Sequence, residues 1–270
     1  MEYNTGSQSN EYHGLSEDHM LNLMTNPLGH QSPLFIPENL SPEVFREMPL
    51  FRLVLNCLER MNTASGLRLA SNNGVPPEFT AELLRQGFQL TYPIPDISST
   101  AIDSSLQDMV QSCLKLCKVS GLTTQAGQTL LLTDEGKKLA APGQDLALFK
   151  HVFRLHQLKY PIDGHDEFLT DSFFRLIFPL FLYLVTKFGA TAHTLHFYVA
   201  KIQITYPGQD LPDFSVCARA RFLDSYLSQY GLIEYPPQNP PPAHHDYLKF
   251  RTTPLFRRIF KLNILPEQLN

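Results

Sequence analysis

QTLLLTDEGKKLAA, residues 128–141, reads as a strand that runs straight into a helix. Leu130, Leu131 and Leu132 form an apolar run. Thr133 is a good N-cap, because its hydroxyl can accept from an orphan amide of the first helical turn. Asp134 and Glu135 follow, where the positive end of a helix dipole favours acids. The corner recurs in RTTPLFRRIFKL, residues 251–262: a strand, capping threonines, Pro254 at the first helical position, then a helix.

The flanks of the two corners share one order. CKVSGLTTQAGQTLLLTDEGKKL (117–139) and LSQYGLIEYPPQNPPPAHHDYLKFRTTPLFRRIF (227–260) each end a helix at glycine and then run strand, turn, strand, threonine cap and helix. MNTASGLRLASNNGVPPEFTAEL (61–83) reads as a truncated version. A two-stranded hairpin is not stable alone and must be pinned against helices. Helices followed by a two-stranded wing make a winged-helix pattern. The predicted fold is therefore mostly α with short β-hairpins, as tandem winged-helix-like units around a buried central helix.

That helix is FFRLIFPLFLYLVTKFG, 173–189. Arg175 and Lys187 leave only 11 residues between them, Pro179 included, whereas a membrane span needs about 20. A buried core helix is expected, with Leu182 and Val185 inside, and no membrane association. The predicted segments are a disordered tail over 1–14, and a helical arm with a truncated unit over 15–101. A second unit follows over 102–159, a central helical core over 160–206 and a C-terminal unit over 207–270. Within them, Leu50, Leu53, Val54, Cys57, Leu58 and Met61 share a helical face. So do Leu106, Met109, Val110, Cys113 and Cys117, with Lys115 opposite. Val216, Ala220, Leu223, Leu227 and Tyr230 form a third stripe, with Arg221 pointing outward. Residues 193–206 read as helix throughout.

The chain of 270 residues has 22 Lys plus Arg against 26 Asp plus Glu, a net charge of −4, and is 43% apolar. Residues 1–40 hold five acids and no Lys or Arg, so the rest is essentially neutral. This argues against a surface coated in nucleic acid, although charge is unevenly spread. Four cysteines do not make a disulfide scaffold. The N-terminus lacks the basic and apolar regions of a secretory signal, which makes the cytosol the expected location.

Several motifs together resemble an uncharacterised, mostly bacterial family of cytosolic proteins with tandem winged-helix-like units. They are LSPEVFREMPLFRLV, GLRLASNNGVPPEFTAELLRQGF, LLLTDEGKKL, FPLFLYLVTKFG, HFYVAKIQITYP and FLDSYLSQYGLIEY, covering most of residues 15–260. The resemblance implies architecture and no activity. SNNGVPP (71–77) departs from the family pattern, where a lysine-containing Thr-x-x-Gly turn is usual, and this weakens nucleic-acid contact by the first unit.

No catalytic signature is present. Cys113 and Cys117 lie on an apolar stripe, where free cysteine behaves as a small hydrophobe. His193 and His196, the pair His244-His245, and His151 with His156 lack a metal-binding context. Asp163, His165, Asp166 and Glu167 read as a solvated turn. No cofactor, metal or enzymatic activity is expected. From Ser215 to Leu262, seven basic residues face three acidic ones, and residues 103–159 carry seven against five. A basic face is what phosphate contact requires. The expected nucleic-acid-binding residues are Lys115, Arg221, Lys249, Arg251, Arg257 and Arg258. The expected function is non-enzymatic binding of DNA or RNA in a regulatory role; the alternative is a protein–protein adaptor on the same scaffold. Oligomeric state is not readable from the sequence.

Overall fold

The computed structural model describes residues 12–63, 65–71, 74–85, 99–159, 171–207, 214–238 and 247–263. It is mostly helical with small antiparallel sheets, as expected. The chain divides into two compact units. Unit I is Leu40–Pro161 with Gln229–Gly231; unit II is Met1–Asn39, Ile162–Ser228 and Leu232–Asn270.

Unit I begins with α2 (Pro42–Arg46) and α3 (Pro49–Met61), after α1 (Glu17–Thr25) and β1 (Leu34–Phe35) of unit II. Proline opens each helix, where its missing N–H costs nothing. All six apolar residues expected on the α3 face are buried. They pack on α5 (Ser99–Val119), where Cys57 and Cys113 bring their sulfurs to 3.8 Å. Phe45, Phe51, Phe149 and Phe153 add a chain of ring contacts at 5.2–5.9 Å, which Tyr230 joins. Burying such side chains contributes about 1.5–3 kcal/mol each.

Between α3 and α5 lie β2 (Leu67–Arg68) and α4 (Pro77–Arg85). After α5 come β3 (Thr123–Ala126), β4 (Thr129–Leu132), α6 (Asp134–Leu139) and α7 (Asp145–Lys159). The sheet order is β2-β4-β3, with Leu67 opposite Leu130. This corrects the expected division at 101/102. The truncated unit is not separate; its strand completes the sheet of the second, because a lone two-residue strand has no other ladder to join.

The quoted corner is closed by hydrogen bonds. Thr133 Oγ1 accepts from the Gly136 amide at 3.0 Å and donates to the Gly121 carbonyl at 2.7 Å. The Thr133 amide donates to the Leu122 carbonyl at 3.0 Å. Gly121 itself ends α5 with φ +71°, a conformation glycine adopts without Cβ strain. The strand exit, the cap and the preceding helix end are thereby one structure. Thr133→Ala removes the cap and is expected to cost about 0.5–2 kcal/mol; an unchanged melting temperature would contradict this.

Unit II is built around α8 (Asp171–Phe188), followed by β5 (His193–Thr194), α9 (Leu195–Thr205) and α10 (Phe214–Ala218). A π-helical segment, Arg219–Leu227, continues α10. Then come β6 (Ile233–Glu234), β7 (Lys249–Thr252), α11 (Pro254–Ile259) and β8 (Lys261–Leu262). Leu182 and Val185 of α8 are buried as expected, and Phe178 meets Tyr226 edge to face at 4.6 Å while Phe181 packs tilted against Phe222 at 4.7 Å. No helix among the described residues is long and apolar enough to cross a membrane. The expected boundary at 206/207 does not separate units, since α8, α9 and α10 share unit II.

The sheet order here is β5-β7-β6. Numbering strands within each three-stranded sheet, both sheets run first-third-second, and each unit contains the run helix, strand, helix, helix, strand, strand, from α3 to β4 and from α8 to β7. The second corner repeats the first. Thr253 Oγ1 accepts from the Phe256 amide at 3.2 Å, and the Thr253 amide donates to the Leu232 carbonyl at 3.0 Å.

Two further expectations are corrected in unit II, and a third segment gains a partner. Residues 193–194 are strand, because they pair with Phe250 and Lys249 of β7. The segment after α1 is paired: β1 joins β8, Leu34 opposite Leu262. Within the expected disordered tail, residues 12–14 are described and form a turn, its His13 carbonyl accepting from Tyr183 Oη and Lys187 Nζ. Residues 1–11 of that tail, most of the 88–101 connector, the 163–167 acidic loop and His244-His245 lie outside the described residues.

Candidate nucleic-acid interface

The structure separates the six expected residues. Lys115 lies half-buried on α5 of unit I, and the other five belong to unit II. Arg221 is a correction: it is only 7% exposed, with its guanidinium carbon 4.7 Å from the Phe174 ring centroid. The cause is the π-helical segment. Its i→i+5 bonds, such as Ser228 N–H to Leu223 O at 2.8 Å, widen the turn and rotate side chains off the 3.6-residue stripe. Val216, expected inside, is 53% exposed for the same reason.

On β7, Lys249 and Arg251 face solvent, while Phe250 and Thr252 between them are buried. Arg251 Nε donates to Glu234 Oε1, its register partner on β6, at 2.6 Å. Both side chains are about half exposed, so the pair contributes little stability, yet it neutralises Arg251. Arg257 donates to the Thr252 carbonyl at 2.7 Å and braces the hairpin end. Arg258 is exposed on α11. The structure thus brings Lys249 and Arg251 onto one face and leaves Arg221 out.

Two arrangements escape a reading by charge alone. The first is the outward side of α5, where Gln107, Asp108, Gln111 and Lys118 are exposed. Their spacing places Gln107, Gln111 and Lys118 along one side, and the legible signal is the polar complement of the buried stripe.

The second arrangement is a basic and aromatic corner of unit II. Lys201 Nζ lies 4.4 Å from the Phe188 centroid and 4.8 Å from that of Phe197, and Lys187 Nζ lies 5.5 Å from Phe188. His193 stacks on Phe197 at 4.0 Å and 10°, with Tyr198 edge-on. Thr191 Oγ1 is 2.7 Å from His193 Nε2. Burial and the positive charges of Lys201 and Lys249 hold the His193 imidazole below its ordinary pKa. Burial also lowers His13 and Lys187. The Phe197–Lys201 spacing of four residues was the available signal; the remaining members come from other elements.

Unit I also has a cleft of about 750 Å3 lined by Arg46, Arg52, Asn56, Glu59, Leu139 and Asp145 among others. It mixes charges without a nucleophile beside a base. Cys57, Cys113 and Cys117 are buried free thiols, and burial pushes the Cys113 thiol well above its usual range. Among the described residues no group of three metal-ligating side chains could hold an ion. No protein-family model matches the chain, and neither a curated protein nor a solved structure matches it.

Proposed function

We propose that the two units are winged helices and that the chain is a non-enzymatic, cytosolic nucleic-acid-binding protein with a regulatory role. The observation that carries this reading is the repeated order helix, strand, helix, helix, strand, strand with the sheet order first-third-second in both units. In that arrangement the third helix and the terminal hairpin are the elements offered to a duplex. In unit I the third helix of that run is α5, and its outward Gln107, Gln111 and Lys118 are of the types that read base edges or hold phosphate. In unit II the hairpin offers Lys249, Arg251 beside it being paired with Glu234, and Arg258 follows on α11. Arg221 is reassigned here to the core.

Salt dependence tests the reading, because each phosphate contact releases counterions. Lys118→Ala and Lys249→Ala are each expected to flatten the plot of log affinity against log salt by about one unit. Arg221→Ala is expected to leave the slope unchanged and lower the melting temperature. The opposite pattern, a slope change at Arg221 and none at Lys118 or Lys249, would refute these assignments.

A second reading, the protein–protein adaptor, draws on unit II. Leu176, Ile204 and Val216 are 47%, 55% and 53% exposed on α8, α9 and α10, and they would serve partner binding if they formed one contiguous apolar patch. The adaptor predicts no salt-steep binding to any nucleic acid.

A further inference from the structure

Four elements of unit II bring basic or imidazole side chains to one aromatic corner. Lys187 ends α8, His193 lies in β5, Lys201 lies on α9 and Lys249 lies on β7, where its register partner is Thr194. Phe188 and Phe197 meet edge to face at 5.6 Å and form the floor. The parts are held in place rather than left as free surface lysines. Lys187 Nζ donates to the His13 carbonyl at 2.9 Å, and His13 Nε2 is 2.7 Å from the Lys201 carbonyl oxygen. His193 is fixed by Phe197, Tyr198 and Thr191.

Positive charges face one another within the corner. Lys201 and Lys249 act on His193, Lys201 and Lys187 act on His13, and Lys201 acts on Lys187. Among the described residues Lys201 Nζ meets two ring faces and no carboxylate. A ring face attracts the cation but leaves the three ammonium donors without a strong acceptor. Half-buried like charges repel, and together they project a positive potential toward solvent. The chemistry that answers this is a compact anion with several acceptor oxygens. A stacked base does not answer it, since His193 already covers a face of Phe197 and the lysines lie against the rings.

We infer that this corner is a phosphate site, which takes backbone phosphates of the nucleic acid proposed above and therefore rests on that reading. It extends the hairpin face through Lys249 onto α8, β5 and α9, and its specific residues are Lys187, His193 and Lys201. It contributes affinity and register without sequence information.

The test uses the full chain with a labelled duplex and a labelled single strand, followed by fluorescence anisotropy across a salt series. Lys187→Gln with Lys201→Gln is expected to flatten the log–log slope by up to about two units, while Lys201→Arg keeps it. Because the double variant can lose its fold, a second readout is taken on the wild type. By NMR, saturating oligonucleotide is expected to raise the His193 pKa, since bound phosphate reverses its cationic surroundings; the rise is lost in Lys201→Gln. A folded double variant with an unchanged slope, or a His193 pKa unmoved at saturation, overturns the phosphate site and leaves nucleic-acid binding standing. A wild type that binds neither probe overturns both.

Discussion

Gly136→Ala is expected to destabilise unit I by about 3 kcal/mol, the size of an overpacked core contact with its hydrogen bonds disturbed. Helix propensity alone forecasts the opposite. Gly136 sits in the first turn of α6, with Thr133 as N-cap, and alanine in a helix is favoured over glycine by about 1 kcal/mol. The local geometry reverses the sign. A Cβ at Gly136 would lie inside van der Waals contact with the Leu122 carbonyl oxygen. That oxygen cannot retreat cheaply, because it accepts the Thr133 amide at 3.0 Å and lies 3.2 Å from Thr133 Oγ1. The glycine is what lets α6 close onto the end of α5. Urea unfolding measures the effect. An alanine variant as stable as the wild type, or more stable, would contradict the corner's geometry.

Acid is expected to weaken unit I through His156. This residue is 5% exposed and lies 3.3 Å from Tyr230 Oη through its Nδ1. Burial pushes its pKa from 6.5 down to about 3. The group is therefore neutral when folded at pH values where the unfolded chain already binds a proton. Its stabilising contribution is complete above about pH 6.5 and is lost as pH falls toward about 3, at up to about 1.4 kcal/mol per pH unit. Between about pH 6.5 and about pH 5 the loss approaches 2 kcal/mol. His156→Gln keeps a polar side chain for Tyr230 and removes the titration, so its unfolding free energy is expected to change less over that window. Equal pH slopes for the two proteins would contradict the assignment.

Much of the helical framework was legible in the sequence. The α3 and α5 stripes follow a 3.6-residue period, and Thr133 and Thr253 announce strand-to-helix corners that the structure contains. What escaped has specific causes. β2 and β5 are two residues long, and their identity as strands comes from partners about 60 residues away, Leu130 for Leu67 and Phe250 for His193. For that reason β2 was not read into the sheet of β3 and β4. Arg221 was misplaced because a π-helical turn shifts phase within a segment whose composition gives no warning of it. The basic corner went unread because Lys187, His193, Lys201 and Lys249 occupy four elements and converge only after folding. By contrast, the polar side of α5 was readable from sequence as the face opposite Cys113 and Cys117.

The central claim is that this chain binds nucleic acid through charge, and wild-type protein decides it. Fluorescence anisotropy is measured with duplex and single-stranded DNA and RNA, from about 50 mM to about 200 mM salt, the range over which counterion release is resolved. The account predicts binding to at least one probe at the lowest salt, with log affinity falling linearly against log salt and a slope of about two or more in magnitude. Absence of binding to all four probes at the lowest salt would contradict it.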